Sequence, residues 1–252
     1  MNVNPLEQRG FTLIEIAIVV LIVSILLGYT VAMFPVQQQL KQYRHVESEM
    51  ESIVEHLIAF AQVNGRLPCP DTSAGGSTID GLEDRAVGLN DCEAFFGFLP
   101  GGTLGINGKY NDAGVLIDPW SQGYGYAVSN LDVAGDKVLV TSNGIRAAGI
   151  PATVPDLFIC SDSTILGNHV DCTAAGSNLV VGNVAAVVIS LGMDYELPAT
   201  SNIQAENVDG FHDGSIDKVY IFSARRDDYD DVVKWISTNL LFSRMIAAEQ
   251  LP

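Results

Sequence analysis

The chain has few basic residues and no recognisable catalytic motif. Lysine and arginine number 13 against 30 acidic residues, which gives a net charge of −17 over 252 residues. Because binding to nucleic-acid phosphates needs a basic face, this balance argues against a nucleic-acid partner. The sequence also lacks a Gly-x-Ser-x-Gly motif, a phosphate-binding loop and a dinucleotide fingerprint. We therefore expect the protein not to be an enzyme.

Cysteine is scarce as well. The four cysteines are Cys69, Cys92, Cys160 and Cys172. None of them forms a Cys-x-x-Cys pair, so the sequence gives no support to a zinc ribbon or a thioredoxin-like site.

What the sequence does contain is one long apolar run near its start. From Phe11 to Phe34 the only charged side chain is that of Glu15. About 20 apolar residues in a helix span the hydrocarbon core of a bilayer, so this run is long enough to cross a membrane. A carboxylate inside such a span is costly unless it finds a partner. The alternatives are an ordinary signal anchor and a cleaved secretory signal with an accidental glutamate, but the run exceeds a secretory h-region and lacks an Ala-x-Ala-like exit.

The residues Gly10-Phe11-Thr12-Leu13-Ile14-Glu15, directly before this run, resemble the prepilin signature of type IV pilins and type II secretion pseudopilins. In that family a membrane peptidase cleaves after the glycine and methylates the new N-terminal residue. The resemblance implies cleavage after Gly10, N-methylation of Phe11 and an assembly role for Glu15. A neighbouring subunit's Glu15 would then neutralise the Phe11 ammonium, since opposite charges attract strongly where the dielectric is low.

The resemblance also implies partners and a location. Expected partners are other pilin or pseudopilin subunits, the prepilin peptidase and an assembly ATPase with its inner-membrane platform. The protein would cross the bacterial inner membrane once, keep its globular domain in the periplasm and assemble into a cell-envelope or surface filament. The alternative function is a periplasmic binding or enzymatic domain that uses the span only as a tether.

These features divide the chain into three parts. Residues 1–10 form a leader peptide, residues 11–34 a transmembrane or filament-core helix, and residues 35–252 an extracytoplasmic domain. The first part of that domain, residues 35–63, is amphipathic and ends at a helix-stopping Asn-Gly pair. We predict one helix over 11–63, bent at Pro35, with two separate helices as the alternative.

The rest of the chain predicts an α+β, pilin-like fold in which the amphipathic half-helix packs on an antiparallel sheet. Residues 65–120 are rich in Gly, Pro and Asp and predict a long ordered loop region. A C-terminal helix is expected over residues 228–249, from its apolar periodicity. Runs rich in Val and Ile predict strands at 124–128, 137–141, 179–181, 184–191 and 219–222.

The segment Asp118-Pro119-Trp120, followed by Tyr124 and Tyr126, looks like the stretch at the first strand of major pseudopilins. The usual form in that family is Asp-Pro-Trp-Gly, and Ser121 replaces the glycine here. We interpret these residues as buried aromatics that frame a turn and a strand, without a chemical role.

An even number of cysteines beyond an export signal indicates disulfides. Local pairing, Cys69–Cys92 and Cys160–Cys172, is preferred among the three connectivities, and four free buried thiols are the alternative. Both bridges would fasten loop-rich stretches.

A cluster of acids near the C-terminus is a candidate calcium site, formed by Asp227, Asp228, Asp230 and Asp231. In major pseudopilins an acidic loop followed by tryptophan binds calcium, and clustered carboxylates suit that ion. The alternative is that these aspartates cap the N-terminus of the expected helix. No other cofactor is expected.

Overall fold

The computed structural model describes residues 11–86, 90–133, 136–161, 165–166, 169–170, 178–193, 206–208, 218–226 and 229–251. Within these ranges, the side chains of residues 30–36, 136, 151, 165–166 and 169–170 are not described. The chain divides into two compact units, Met1–His45 and Val46–Pro252. Each unit is described by itself below.

One helix, α1, covers Leu13–Asn64. A single helix is therefore present where two separate helices were the alternative. It ends where the sequence predicts, because Gly65 adopts a left-handed conformation with φ of 66° and its N–H donates to the Ala61 carbonyl at 2.8 Å. The bend at Pro35 stays a prediction, since that side chain lies outside the described ones.

In the first unit, the apolar side chains of α1 are exposed on all sides. Leu13 is 89 % exposed, and the large apolar residues from Ile14 to Tyr29 that the structure describes are between 46 and 69 % exposed. Among the helical residues with described side chains, which leave out 30–36, no stretch combines the length and the apolar character needed to cross a membrane.

In the second unit, the final five turns of α1 bury one stripe of side chains. Five of its members are spaced three or four residues apart, as expected for an amphipathic helix: Val46, Met50, Ile53, Leu57 and Ala61. Ile58 is buried beside them. They join a core cluster with Tyr126, Val188 and Leu241 from the sheet and the C-terminal helix. This half of α1 therefore packs on the sheet, as predicted.

The main sheet has six strands: β1 (Phe96–Phe98), β2 (Gly125–Val128), β5 (Leu157–Cys160), β8 (Leu179–Ser190), β9 (Val219–Ile221) and β10 (Val232–Ser237). Strand β8 is the longest and pairs antiparallel with β2, β5 and β10. Strand β1 pairs antiparallel with β2, whereas β5 and β9 are parallel. The sheet is thus mostly antiparallel, as predicted, with one parallel pair formed by β5 and β9.

The remaining elements are short. Two hairpins lie outside the main sheet, β3 (Asp132–Val133) with β4 (Asp136–Lys137) and β6 (Ile165–Leu166) with β7 (His169–Val170). The short helical elements include a 3₁₀ turn (Ala74–Gly76), α2 (Gly101–Leu104), α3 (Gly144–Ala152) and α4 (Thr238–Ala247). The region 65–120 therefore holds little regular structure, as predicted.

Three predicted elements differ from the structure. A strand was predicted at 137–141, but residues 138–140 form a turn, in which the Val140 N–H donates to the Lys137 carbonyl. The side chains of residues 138–140 are buried. The two strands predicted at 179–181 and 184–191 are one strand. The expected helix at 228–249 is a strand over Val232–Ser237 and a helix only from Thr238, because the β-branched residues of β10 pair along β8.

Candidate processing and assembly site

At the start of α1, Thr12 and Glu15 are joined by reciprocal hydrogen bonds. The Glu15 N–H donates to Thr12 Oγ1 at 3.3 Å, and the Thr12 N–H donates to Glu15 Oε2 at 3.4 Å. The Thr12 hydroxyl also lies 3.5 Å from the same carboxylate oxygen. This Thr-x-x-Glu arrangement is a capping box, which satisfies amides that the first turn leaves without intrahelical partners.

The motif residues are presented at the surface of the first unit. Phe11 is 78 % exposed, and Thr12 and Glu15 are exposed as well. The Glu15 carboxylate bonds the amide of the residue directly after Phe11, so it lies close to the position where cleavage would create an ammonium. Gly10, the predicted last leader residue, lies outside the described residues. Sequence reasoning singled out Glu15 but missed Thr12, although the capping-box spacing was visible.

The predicted bridge Cys69–Cys92 is present, with sulfurs 2.01 Å apart. Cys160 is disulfide-bonded, and its predicted partner Cys172 lies outside the described residues. The first bridge joins the stretch after α1 to the segment before β1, within the region that has little regular structure. It therefore fixes a loop that has few ladder hydrogen bonds of its own.

A buried ion pair holds the same loop and was missed by sequence reasoning. Both guanidinium Nη atoms of Arg66 donate to Glu83, at 2.7 and 2.6 Å. The Cys69 N–H donates to Glu83 Oε2 at 3.1 Å. Burial acts to raise the pKa of Glu83, but these hydrogen bonds and the charges of Arg66 and Arg85 outweigh it and hold that pKa below its ordinary value. The guanidinium of Arg66 also lies over the ring of Phe60, at 5.0 Å.

Asp71 is a second buried acid of this loop, with no exposed surface. Its carboxylate accepts the Gly81 N–H at 2.7 Å and the Asp80 N–H at 3.3 Å. Burial raises the pKa of Asp71 to about 6, against the opposing effect of these two amides, and the charges of Asp84 and Asp80 raise it further. The acid is therefore held by backbone donors but lacks a basic partner among the groups that shift its pKa.

Asp118 organises the segment that resembles major pseudopilins. Its carboxylate accepts the N–H groups of Trp120 and Gln122, both at 2.9 Å, and the hydroxyl of Ser190 at 2.7 Å. Ser121 within this turn adopts a left-handed conformation with φ of 69°. That conformation favours glycine, which accounts physically for the family's usual Asp-Pro-Trp-Gly form. Tyr124 is buried, as predicted.

The candidate calcium ligands are only partly described, since Asp227 and Asp228 lie outside the described residues. Asp230 accepts the Met193 N–H at 2.7 Å, and Asp231 accepts the side-chain amide of Asn207 at 2.8 Å. Each of these two carboxylates is thus already engaged by a protein donor. In the described ranges, no group of three or more His, Cys, Asp or Glu side chains is arranged to hold a metal ion.

Calcium binding by the set therefore stays a prediction. A thermal melt of the protein with and without excess chelator tests it, and an unchanged midpoint would dismiss the metal.

Comparison with known proteins bears on the N-terminal motif alone. No curated protein and no solved structure is found to match the chain. Residues 7–31 match the family model of the prokaryotic N-terminal methylation motif, and the α+β architecture is consistent with a pilin-like fold. The chain carries, at its N-terminus, the signature of type IV pilins and pseudopilins.

Proposed function

We propose that the protein is a non-enzymatic structural subunit of a type IV pilus or of a type II secretion pseudopilus. In this proposal it is cleaved after Gly10, N-methylated at Phe11 and assembled through the apolar half of α1. The observation that carries the proposal is the methylation motif, matched over residues 7–31. It lies at the start of α1, whose apolar side chains in the first unit are exposed on all sides.

The exposed apolar side chains support burial by something outside the chain. A helix that is apolar all round belongs in a membrane or in the core of a larger assembly. A bilayer before assembly and the neighbouring apolar helices afterwards both supply such surroundings. On a soluble monomer the same surface would promote aggregation, because large exposed apolar patches associate with one another.

The charges at the motif give assembly its specificity. Cleavage creates an ammonium at Phe11, and the Glu15 carboxylate of a neighbouring subunit offers it a counter-charge. Each charge is costly alone in an apolar environment, while the pair attracts strongly there. The pairing therefore favours the assembled arrangement over isolated subunits in the membrane.

The proposed location is the bacterial inner membrane, crossed once, with the globular domain in the periplasm. The Cys69–Cys92 disulfide supports this placement of the domain, since disulfides form and persist in oxidising compartments. The proposed partners are like subunits, the prepilin peptidase and an assembly ATPase with its membrane platform.

Mass spectrometry of the mature N-terminus tests processing. The expected result is a chain that begins with N-methyl-phenylalanine at Phe11. A chain that assembles normally while it still carries residues 1–10 would overturn the proposal.

Glu15→Ala tests assembly. The variant should be processed and retained in the membrane but absent from sheared filaments, whereas Asp112→Ala, which removes an exposed acid of the globular unit, should be incorporated normally. If Glu15→Ala assembles like the wild type, or if the domain works equally well on an unrelated membrane anchor, the protein is a tethered domain instead.

A further inference from the structure

Strands β1, β9 and β10 lie at edges of the main sheet, and the chain covers the edges of β1 and β9 with its own groups. At β1, Phe98 and Asp71 exchange backbone hydrogen bonds at 2.8 and 2.9 Å. At β9, the side chain of Asn207 donates to the Ile221 carbonyl at 3.1 Å and accepts the Ile221 N–H at 2.8 Å. Among the described strands β10 pairs with β8 alone, so its outer edge is the one that remains to be considered.

The register of the sheet shows which backbone groups of β10 face its outer edge. Just beyond β2, the Ser129 N–H donates to the Ala185 carbonyl at 3.0 Å, so the odd-numbered residues of this part of β8 direct their N–H and C=O groups towards β2. Trp235 lies opposite Val187, and its own N–H and C=O groups therefore point away from β8. Val233 is oriented in the same way but is only 1 % exposed. The open part of this edge thus lies around Trp235, which is half-buried.

An open groove of about 780 Å³ lies between this edge and α1. Glu51, Val54 and Glu55 line it on the side of α1, and Lys234 and Trp235 line it on the side of β10. All of these residues belong to the second unit. Sites that hold ligands typically measure roughly 300–1,000 Å³, so the groove is large enough for a short segment of chain.

The charges that the groove presents to solvent are mainly acidic. Glu51 pairs with Lys234 at 3.4 Å, and Glu55 pairs with Arg244 at 2.8 Å. The two glutamate side chains are 71 and 57 % exposed, against 34 and 47 % for their basic partners. A lysine on an edge strand commonly discourages strand pairing, but this ammonium is already engaged by Glu51. An approaching chain therefore meets carboxylates first.

The opposite face of β10 is apolar at the same level. The side chain of Trp235 packs against the core cluster on that face, and its ring meets the ring of Phe222 edge-on, with centroids 5.3 Å apart. Phe222 is 43 % exposed. Because side chains alternate between the two faces of a strand, a strand added to β10 would direct every second side chain towards the acids on α1 and the others towards Phe222.

We propose that this groove binds an extended basic segment of another protein, which adds to β10 as a further strand. The main chain of the segment bonds to the N–H and C=O groups of Trp235. Its lysine or arginine side chains meet Glu51 and Glu55, and the apolar side chains between them cover Phe222. A second copy of this chain is a poor occupant, since a net charge of −17 makes copies repel one another.

Calorimetric titration of the full-length protein in detergent tests the proposal, with a short blocked peptide that alternates lysine and valine. This peptide should bind, whereas a peptide of the same length that alternates glutamate and valine should bind at least about ten-fold more weakly. The Trp235 amide should exchange more slowly with deuterium in the complex, because it gains a hydrogen-bond acceptor. Absence of binding, equal binding of the two peptides, or unchanged exchange at Trp235 would overturn the proposal.

Two N-methylated forms of the lysine–valine peptide test strand addition itself. One carries methyl groups on its lysine backbone nitrogens and the other on its valine backbone nitrogens, so each lacks alternate main-chain donors. Only alternate amides of an added strand face β10. One form alone should therefore lose affinity, by about five- to ten-fold for the missing hydrogen bonds. Equal affinities of the two forms would show that the peptide does not add as a strand.

Glu51→Gln combined with Glu55→Gln tests the acidic wall and should weaken binding of the lysine–valine peptide about ten-fold. The matched control combines Asp112→Asn with Glu249→Gln, which removes the same charge at exposed positions that do not line the groove and should leave binding unchanged. Thermal melts verify the fold of both variants. Equal losses in the two would assign binding to net charge alone. Peptide binding that weakens as the protein concentration rises would assign the groove to a second copy, and either result contradicts the proposal.

Discussion

Two stretches of helix α1 differ in how far their apolar side chains are exposed. In the first unit, Leu21 and Leu26 are 60 and 61 % exposed, while in the second unit Met50 and Leu57 have no exposed surface. The first stretch is apolar on every side, whereas the second has one apolar stripe and a charged outer face. A sheet covers only one side of a helix. The chain's own core can therefore bury the single apolar stripe of the second stretch. The comparison shows that the pattern of apolar residues, more than their number, decides whether burial comes from within the chain.

Paired leucine truncations test this contrast directly and should give the largest effect. Leu57→Ala removes a buried side chain and leaves a cavity, so it should lower the free energy of unfolding by about 4 kcal/mol. Leu21→Ala should change it by less than about 0.5 kcal/mol and reduce filament yield instead. Denaturant titration of both full-length variants in detergent measures the difference. Equal losses of unfolding free energy in Leu57→Ala and Leu21→Ala would contradict the contrast between the two stretches of α1.

Ion pairs extend the contrast to charged groups. The Arg66–Glu83 side chains are 10 and 16 % exposed, whereas those of Arg244 and Glu55 on the outer face are 47 and 57 % exposed. Glu83→Gln leaves a buried guanidinium without its counter-charge and should cost about 3 kcal/mol. Glu55→Gln should cost no more than about 1 kcal/mol. The same denaturant titration compares the two, and a larger loss for Glu55→Gln would contradict the burial argument.

Asp71 sharpens the contrast through pH. Its pKa is raised to about 6, above an unfolded value near 3.9. Between about pH 4 and pH 6 the folded protein therefore holds a proton that the unfolded chain has lost, and this group's contribution to stability disappears as the pH rises through that window. Relative to the wild type, Asp71→Asn should gain up to about 3 kcal/mol between pH 4 and pH 7.

Unfolding curves at several pH values measure this gain for Asp71→Asn. The control is Asp112→Asn, at an exposed position, which should follow the wild type throughout. A gain at low pH, or none at any pH, would contradict the raised pKa of Asp71.

The smallest effect is expected at Ser121. Its left-handed conformation strains a side chain that has a Cβ atom, and glycine relieves this strain at some cost in unfolded-chain entropy. Ser121→Gly should therefore stabilise the globular unit by about 0.5–1 kcal/mol. A thermal melt measures the rise in midpoint. The next residue, Gln122, has no positive φ, so Gln122→Gly serves as a control and should not stabilise.

Much of the fold was predictable because it depends on local pattern. The long helix, its end at Asn64-Gly65 and the loop region after it all follow from periodicity and from stop signals. The division of residues 228–249 into strand and helix did not follow, since Val233 and Ile236 fit either period and only pairing with β8 decides. The parallel pairing of β5 and β9 depends on contacts distant in sequence, which a local pattern does not contain.

The candidate site divides in the same way. Gly10, Phe11 and Glu15 stand in a contiguous motif, and the spacing of Thr12 to Glu15 contains the capping box. Glu83 lies far along the chain from Arg66, in a stretch without periodicity, so no sequence signal identified that pair. The local pairing of Cys69 with Cys92 was predicted because short loops close most readily.

The deeply buried tyrosines give the globular unit an internal optical reporter. Tyr124, Tyr126, Tyr220 and Tyr229 have at most 1 % of their surface exposed, whereas Tyr29 of the first unit is 66 % exposed. Burial raises the pKa of Tyr124, Tyr126 and Tyr229. In an alkaline titration the ultraviolet absorbance of phenolate from Tyr124, Tyr126 and Tyr229 should thus appear only when the domain opens.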